Sequence, residues 1–107
     1  MRHISIARDF SPSPAGRFPE DGPFNGEKFR EEFLVPALRE GGGVVVSLDD
    51  TNGFGSSFLE EAFGGLVRKH GFTQSELAAH LKITYQDEAL GFYADSIADF
   101  IRDAIPE

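Results

Sequence analysis

VVVSLDDTNGFGSSFLEEAFGGLVRKHG, residues 44–71 of a 107-residue chain, carries a strand, a polar loop and a helix in one run. Val44 to Leu48 is β-branched and does not alternate, the pattern of a strand covered on both faces and therefore central and parallel. It gives way to Asp49-Asp50-Thr51-Asn52-Gly53, a turn-forming string. Beyond it Phe58, Leu59, Ala62, Phe63, Leu66 and Val67 fall on one stripe at helical spacing. Ser57 followed by Glu60 reads as a capping box, and Arg68-Lys69-His70 followed by Gly71 reads as a C-terminal stop with cations in the last turn. A helix from Ser57 to His70 is expected.

Working outward, Ile4, Ile6 and Phe10 alternate with Ser5, Ala7 and Asp9, which predicts a half-buried strand from His3 to Phe10. Ser11 to Gly26 holds Pro12, Pro14, Pro19 and Pro23 with three glycines, too many breakers for a helix. An ordered excursion is expected there, a hairpin being one form it can take. Asn25 is a candidate N-cap for a helix with Phe29, Phe33, Leu34, Ala37 and Leu38 inward and Glu27, Arg30, Glu31 and Glu32 outward. Pro36 removes one backbone bond, so this helix is expected to kink there or end at Val35. Downstream, Thr73 with Glu76 forms a second capping box before Leu77, Ala78 and Leu81. Lys82 to Tyr85 suits a strand, and Asp87 caps a last helix with Leu90, Ala94, Ile97, Ala98, Ile101 and Ile105 inward. This order predicts an α/β fold, a small mixed sheet of three to five strands with about four helices, as a single domain over residues 1–107.

Eighteen acidic against ten basic residues give a net charge of -8, and no basic run exceeds Arg68-Lys69, which argues against nucleic acid as a partner. There is no cysteine, hence no disulfide and no thiolate nucleophile. No apolar stretch approaches the ~20 residues of a membrane span, and the N-terminus lacks the apolar core of a secretory signal, so a cytoplasmic location is expected. Eleven of the thirteen aromatics are Phe, rings that pack without needing a hydrogen-bond partner.

The search for chemistry finds no catalytic set, so the chain is read as a non-enzyme without a cofactor or metal. His3, His70 and His80 fall on three different elements, with no carboxylate at i+4 on a shared face. Asp49 and Asp50 close a central strand, where open α/β sheets place ligands, although a polar loop uses Asp and Asn for its turn alone. Gly53-Phe54-Gly55 has neither the spacing of a dinucleotide fingerprint nor the Lys of a phosphate loop. Phe54 on this loop suits either a docking contact or a ring folded into the core. Arg17 is placed to contact an anion or to pair with Glu20 and Asp21. Ser56 and Ser57 lie at a helix N-terminus, where backbone N–H groups and the helix dipole favour a phosphate. Ser57 has the competing role of N-cap, and a phosphate there would meet the charges of Glu60 and Glu61.

Two segments, RFPEDGPFNGEKFREEFLVPAL (17–38) and 44–72, carry a family resemblance through Gly26-Glu27, Phe29-Arg30, the Leu34/Pro36/Leu38 trio and Ser56-Ser57-Phe58-Leu59-Glu60-Glu61-Ala62-Phe63-Gly64. Together they resemble the bacterial STAS-like domain of unknown function, related in plan to anti-anti-sigma factor STAS domains. The resemblance implies a regulatory interaction module, with a phosphorylated serine at Ser56 or Ser57 and a histidine-kinase-like ATPase as partner. The expected contact surface is the loop of Asp49, Asp50, Asn52, Phe54, Ser56 and Phe58. The alternative is a small-molecule or nucleotide-binding domain using Asp49 to Asn52 with Arg17.

Overall fold

In the computed structural model, which describes residues 1–107, β1 (Arg2–Ser5), β2 (Val44–Ser47) and β3 (Leu81–Thr84) lie side by side in chain order. All three run parallel, so the expected mixed sheet is a parallel one. The reason is that every connection between strands carries a helix that returns the chain to its starting edge. Ile4, Val46 and Ile83 share one cross-strand row; His3, Val45 and Lys82 share the next. Ile4 and Val46 are buried while His3 and Lys82 are exposed, so the helices cover one face only. β2 is central, as its run of valines predicts, but Val45 and Ser47 are only half-buried. A sheet built in the order 1-2-3 by crossovers of one hand keeps all its helices on the same side.

β1 is shorter than its alternation suggests. Ser5 accepts a hydrogen bond from the Arg8 N–H (3.2 Å) and the Asp9 carboxylate accepts one from the Ser5 N–H (2.8 Å). This reciprocal cap turns Ile6–Phe10 into a π-helical turn, overriding the period-2 pattern. The proline-rich excursion forms no strands. It folds into a loop closed by Ala15 N–H to Phe24 C=O (3.0 Å) and Gly26 N–H to Gly16 C=O (3.0 Å), with a 3-10 turn at Pro19–Asp21. The Asp21 carboxylate accepts from the N–H groups of Phe18 (3.0 Å) and Arg17 (3.1 Å), and these bonds hold it below the usual carboxylate range.

The helix α1, residues 26–39, joins Gly26–Phe29, a π-helical Arg30–Leu34 and Val35–Arg39. Asn25 caps it, accepting from the Lys28 N–H at 2.9 Å. The helix does not end at Val35, because the wider turn just before Pro36 takes up the missing donor. The helix α2, residues 56–70, has the same build, with a π-helical Glu60–Gly64 between Ser56–Leu59 and Gly65–His70, and Gly71 closes it at φ 71°. The short α3 (Gln74–His80) carries the reciprocal Thr73/Glu76 cap, both bonds at 3.0 Å. Asp87 caps a 3-10 turn, Glu88–Leu90, that leads into α4 (Gly91–Asp103). Of the residues expected inward on that last helix, Ala98 is exposed and Ile105 lies beyond the helix end in solvent.

The core is a single cluster of 19 buried apolar residues, in which the rings of Phe29, Phe58 and Phe63 are wholly enclosed. Phe10 packs on Phe29 with ring centroids 5.1 Å apart, which clamps the N-terminal turn onto α1. No helix is long and apolar enough to cross a membrane. At Gly26 the backbones of the two long helices approach closely: a Cβ there would lie 2.6 Å from the Phe58 carbonyl oxygen, a backbone atom with nowhere to go. Gly26→Ala is therefore expected to destabilise the fold by about 1–3 kcal/mol in chemical denaturation, despite alanine's better helix propensity.

Candidate functional site

The loop from β2 to α2 is held from three directions. Asp49 accepts from the backbone N–H of Gln86 (2.9 Å) and of Asp87 (3.4 Å), tying the loop after β2 to the loop after β3. Asp50 follows in the left-handed region, φ 69°, a conformation that Asp tolerates better than most residues. Asn52 donates through Nδ2 to the Ser13 hydroxyl (2.6 Å) and through its backbone to the Pro12 carbonyl (2.8 Å), which docks the loop on the proline-rich excursion. Phe54 folds inward, stacked on Phe58 at 6.0 Å and edge-on to Tyr93 at 5.2 Å. Of the two roles open to this ring, packing against the core is the one it takes. Phe58 is completely buried and belongs to the core, so it forms no part of a contact surface.

What this loop presents to solvent is Asp50, Asn52, Gly55, Ser56 and Ser57. The expected Ser57/Glu60 capping box is absent. The N-cap of α2 is Gly55, which has no side chain to offer, and neither serine hydroxyl makes a hydrogen bond within the chain. The helix starts one residue earlier than expected, which puts Ser57 inside its first turn, and the Glu60 carboxylate turns instead to two arginines. It accepts from the Arg68 guanidinium (2.6 Å) and is paired with Arg17. Burial pushes the Glu60 carboxyl upward, but the hydrogen bonds from Arg68 and Arg17 outweigh it and hold the group below its ordinary value of 4.5. Arg17 thus pairs through its guanidinium with Glu60 and with Glu61 (3.2 Å) rather than with Glu20 or Asp21. A shallow cavity of about 660 Å³ separates the proline-rich loop from the helix start, with Arg17, Asp21, Ser56 and Ser57 in its wall.

Behind these serines lies a charged joint between the two long helices. Arg30 and Glu61 are 3% and 2% exposed, and Arg30 donates to the Glu61 carboxylate (2.8 Å) and to the Glu61 backbone carbonyl (2.6 Å). Arg30 also donates to Glu31 (2.7 Å), whose carboxylate pairs with His70 (2.6 Å) at the far end of α2. Burial raises the Glu31 carboxyl, and the hydrogen bonds to His70 and Arg30 override it and bring it below 4.5. Both π-helical segments contribute, Arg30–Leu34 through Arg30 and Glu31, Glu60–Gly64 through Glu60 and Glu61. No buried side-chain polar atom lacks a partner. Arg30 is the sharpest departure from the sequence reading, which turns it outward. The missed signal is spacing: residues 30, 34, 37 and 38 recur at i, i+4, i+7 and i+8, so the arginine sits on the apolar stripe.

These features define a small α/β module: a parallel three-stranded sheet, helices on one face, and an ion-paired helix joint beneath an exposed serine pair. The family model described as STAS-like domain of unknown function (DUF4325) matches residues 25–89, and the chain belongs to that family. The match includes Arg30, Glu31, Glu60, Glu61, Arg68 and His70, and leaves Arg17 outside. No curated protein and no solved structure matches the chain.

Removing one member of the buried pair strands the other charge. Glu61→Ala is expected to cost about 3–5 kcal/mol in urea denaturation, and Arg30→Met combined with Glu61→Leu is expected to recover most of that loss. The joint also sets an acid limit. Because Glu31 and Glu60 ionise more readily folded than unfolded, the unfolded chain binds more protons in the window at and below 4.5. Their contribution is complete above that value and is lost as pH falls through their folded values, so the thermal midpoint is expected to decline below about pH 4.5. In Glu60→Gln this decline should be shallower.

Proposed function

We propose that this chain is a non-enzymatic protein–protein interaction module, and that its docking surface is the exposed rim of residues 49–57. In this reading it works in partner switching with a histidine-kinase-like ATPase, which phosphorylates Ser56 or Ser57. The observation that supports it is the free state of both hydroxyls: exposed, uncommitted to capping, and set on the first turn of a helix whose leading N–H groups have no side-chain partner. Glu60 and Glu61 oppose a phosphate less than their sequence positions suggest, since Arg17, Arg30 and Arg68 neutralise them. Ser56 and Ser57 need no unfolding to reach a kinase active site.

A second reading rests on a polar cavity of about 620 Å³ at the C-terminal edge of the sheet, bordered by Ser5, Arg8, Ser47, Asp49 and Asp50. That edge is where parallel α/β sheets commonly hold small ligands. Against it, both oxygens of Asp49 are already taken by backbone N–H groups and Asp87 caps the turn that follows it, which leaves Arg8 and Asp50 as the free charges there.

Mass spectrometry after incubation with a histidine-kinase-like ATPase of the same cell and ATP is expected to find one phosphate on residues 56–57, lost in the Ser56→Ala, Ser57→Ala double variant. Phosphate elsewhere, or none, contradicts the switch. A thermal shift with nucleotide and Mg²⁺ separates the second reading, since ligand at 100 times its Kd stabilises a fold by about 2.7 kcal/mol.

A further inference from the structure

On the far edge of the sheet, the short α3 leaves part of the apolar layer uncovered. Between α3, β3 and α4 runs an open groove of about 440 Å³, floored by Leu81 and Ile83 and walled by Leu77, Ala94, Ala98 and Ile101. Only Leu77 among these six is fully buried, and eight of the eleven residues lining the groove are hydrophobic. β3 pairs with β2 alone, so no further strand lies beyond it. On α4 the wall residues 94, 98 and 101 form one stripe, and Asp95, Asp99 and Asp103 form a second, exposed stripe alongside at i, i+4 and i+8.

The charge around the groove selects its occupant. Along α4 beside the groove stand three carboxylates, Asp95, Asp99 and Asp103, against one basic residue, Arg102, which with Asp95 lines the groove itself. Arg102 is itself paired with Asp99 (2.9 Å) and Asp103 (3.0 Å), so the rim stays negative. Lys82, the nearest other cation on the sheet edge, alternates with Leu81 and Ile83 and faces the opposite side. A second copy of this chain would bring its own charge of -8 against that rim, and like charges across an interface disfavour it. We infer that the α3–β3–α4 groove receives a basic amphipathic helix of a partner protein, its apolar stripe against Leu81, Ile83 and Ile101 and its cations beside Asp95, Asp99 and Asp103. This surface is separate from the serine-bearing rim and does not depend on the switch.

The test is a titration of isotope-labelled protein with a synthetic peptide of about 18 residues. Its leucines repeat at helical spacing and its remaining positions are lysine. A scrambled peptide of the same composition and a glutamate-for-lysine version serve as controls. The expected result is saturable binding of the first peptide alone, with amide shifts on α3, β3 and the middle of α4. Ala98→Asp and Asp95→Lys, both at exposed positions, are each expected to weaken it by about tenfold, while Ala79→Asp on α3, outside the groove, leaves it unchanged. Raising salt from about 0.05 to about 0.5 M is expected to weaken binding severalfold. Equal binding of the scrambled or the acidic peptide, shifts centred on residues 49–57, or a dimer in sedimentation that covers the groove would each overturn the inference. None of these outcomes bears on phosphorylation at Ser56 or Ser57.

Discussion

The buried pair of Arg30 and Glu61 is the constraint on which the helical layer rests. Two charges have been taken out of water between α1 and α2, and each is answered: Arg30 by the Glu61 carboxylate, the Glu61 carbonyl and Glu31, Glu61 by Arg30, Arg17 and Arg68. Such a pair adds little net stability over apolar residues of the same shape, because desolvation offsets most of its attraction. Its effect is on arrangement. An arginine that must meet a carboxylate and a carbonyl on the neighbouring helix tolerates one rotation and one height of that helix, which leucine against leucine does not require. The small residues agree with this placement: Gly26 lets α1 approach the Phe58 carbonyl, and Gly65 leaves room for the Arg30 guanidinium.

That joint reaches the surface through Glu60. Glu60 is held by Arg17 and Arg68, and the same Arg17 ties the proline-rich loop to α2. Because α2 begins at Ser56, its start has a glycine cap and two uncommitted hydroxyls. The β2–α2 loop before it is firmly anchored, by Asp49 to the β3–α4 turn and by Asn52 to Ser13. A rigid loop carrying free serines suits recognition by another protein, because little ordering entropy remains to be lost on binding. The one-sided layering adds a second consequence, an edge at β3 where the apolar layer runs out and a groove begins.

Much of this was legible in the residues themselves. The stripe of α2, the Thr73/Glu76 box and the Gly71 stop are local signals, and each formed what its pattern predicts, while the valines of β2 made the central parallel strand but one covered on a single face. The failures came where a local rule met a competing partner. Ser5 and Asp9 capped a turn inside an alternating run, so β1 ended early. Glu60 paired with Arg68, eight residues on in the same helix, and with Arg17, 43 residues away, which no spacing rule within a helix reveals. The charge of Arg30 argues for the outward face, whereas its register points inward. The site residues divide in the same way: Ser56 and Ser57 are exposed as expected, whereas Phe54 and Phe58 joined the core and Arg17 became part of the joint.

Native-state hydrogen exchange tests the joint most directly. If the Arg30–Glu61 connection makes α1 and α2 one cooperative unit, the slowest amides around Leu34 and those around Phe63 to Val67 share a single opening free energy equal to that of global unfolding. Exchange in α1 at a free energy about 2 kcal/mol or more below that of α2 would show that the helices open separately. The buried pair would then not be what holds the layer together.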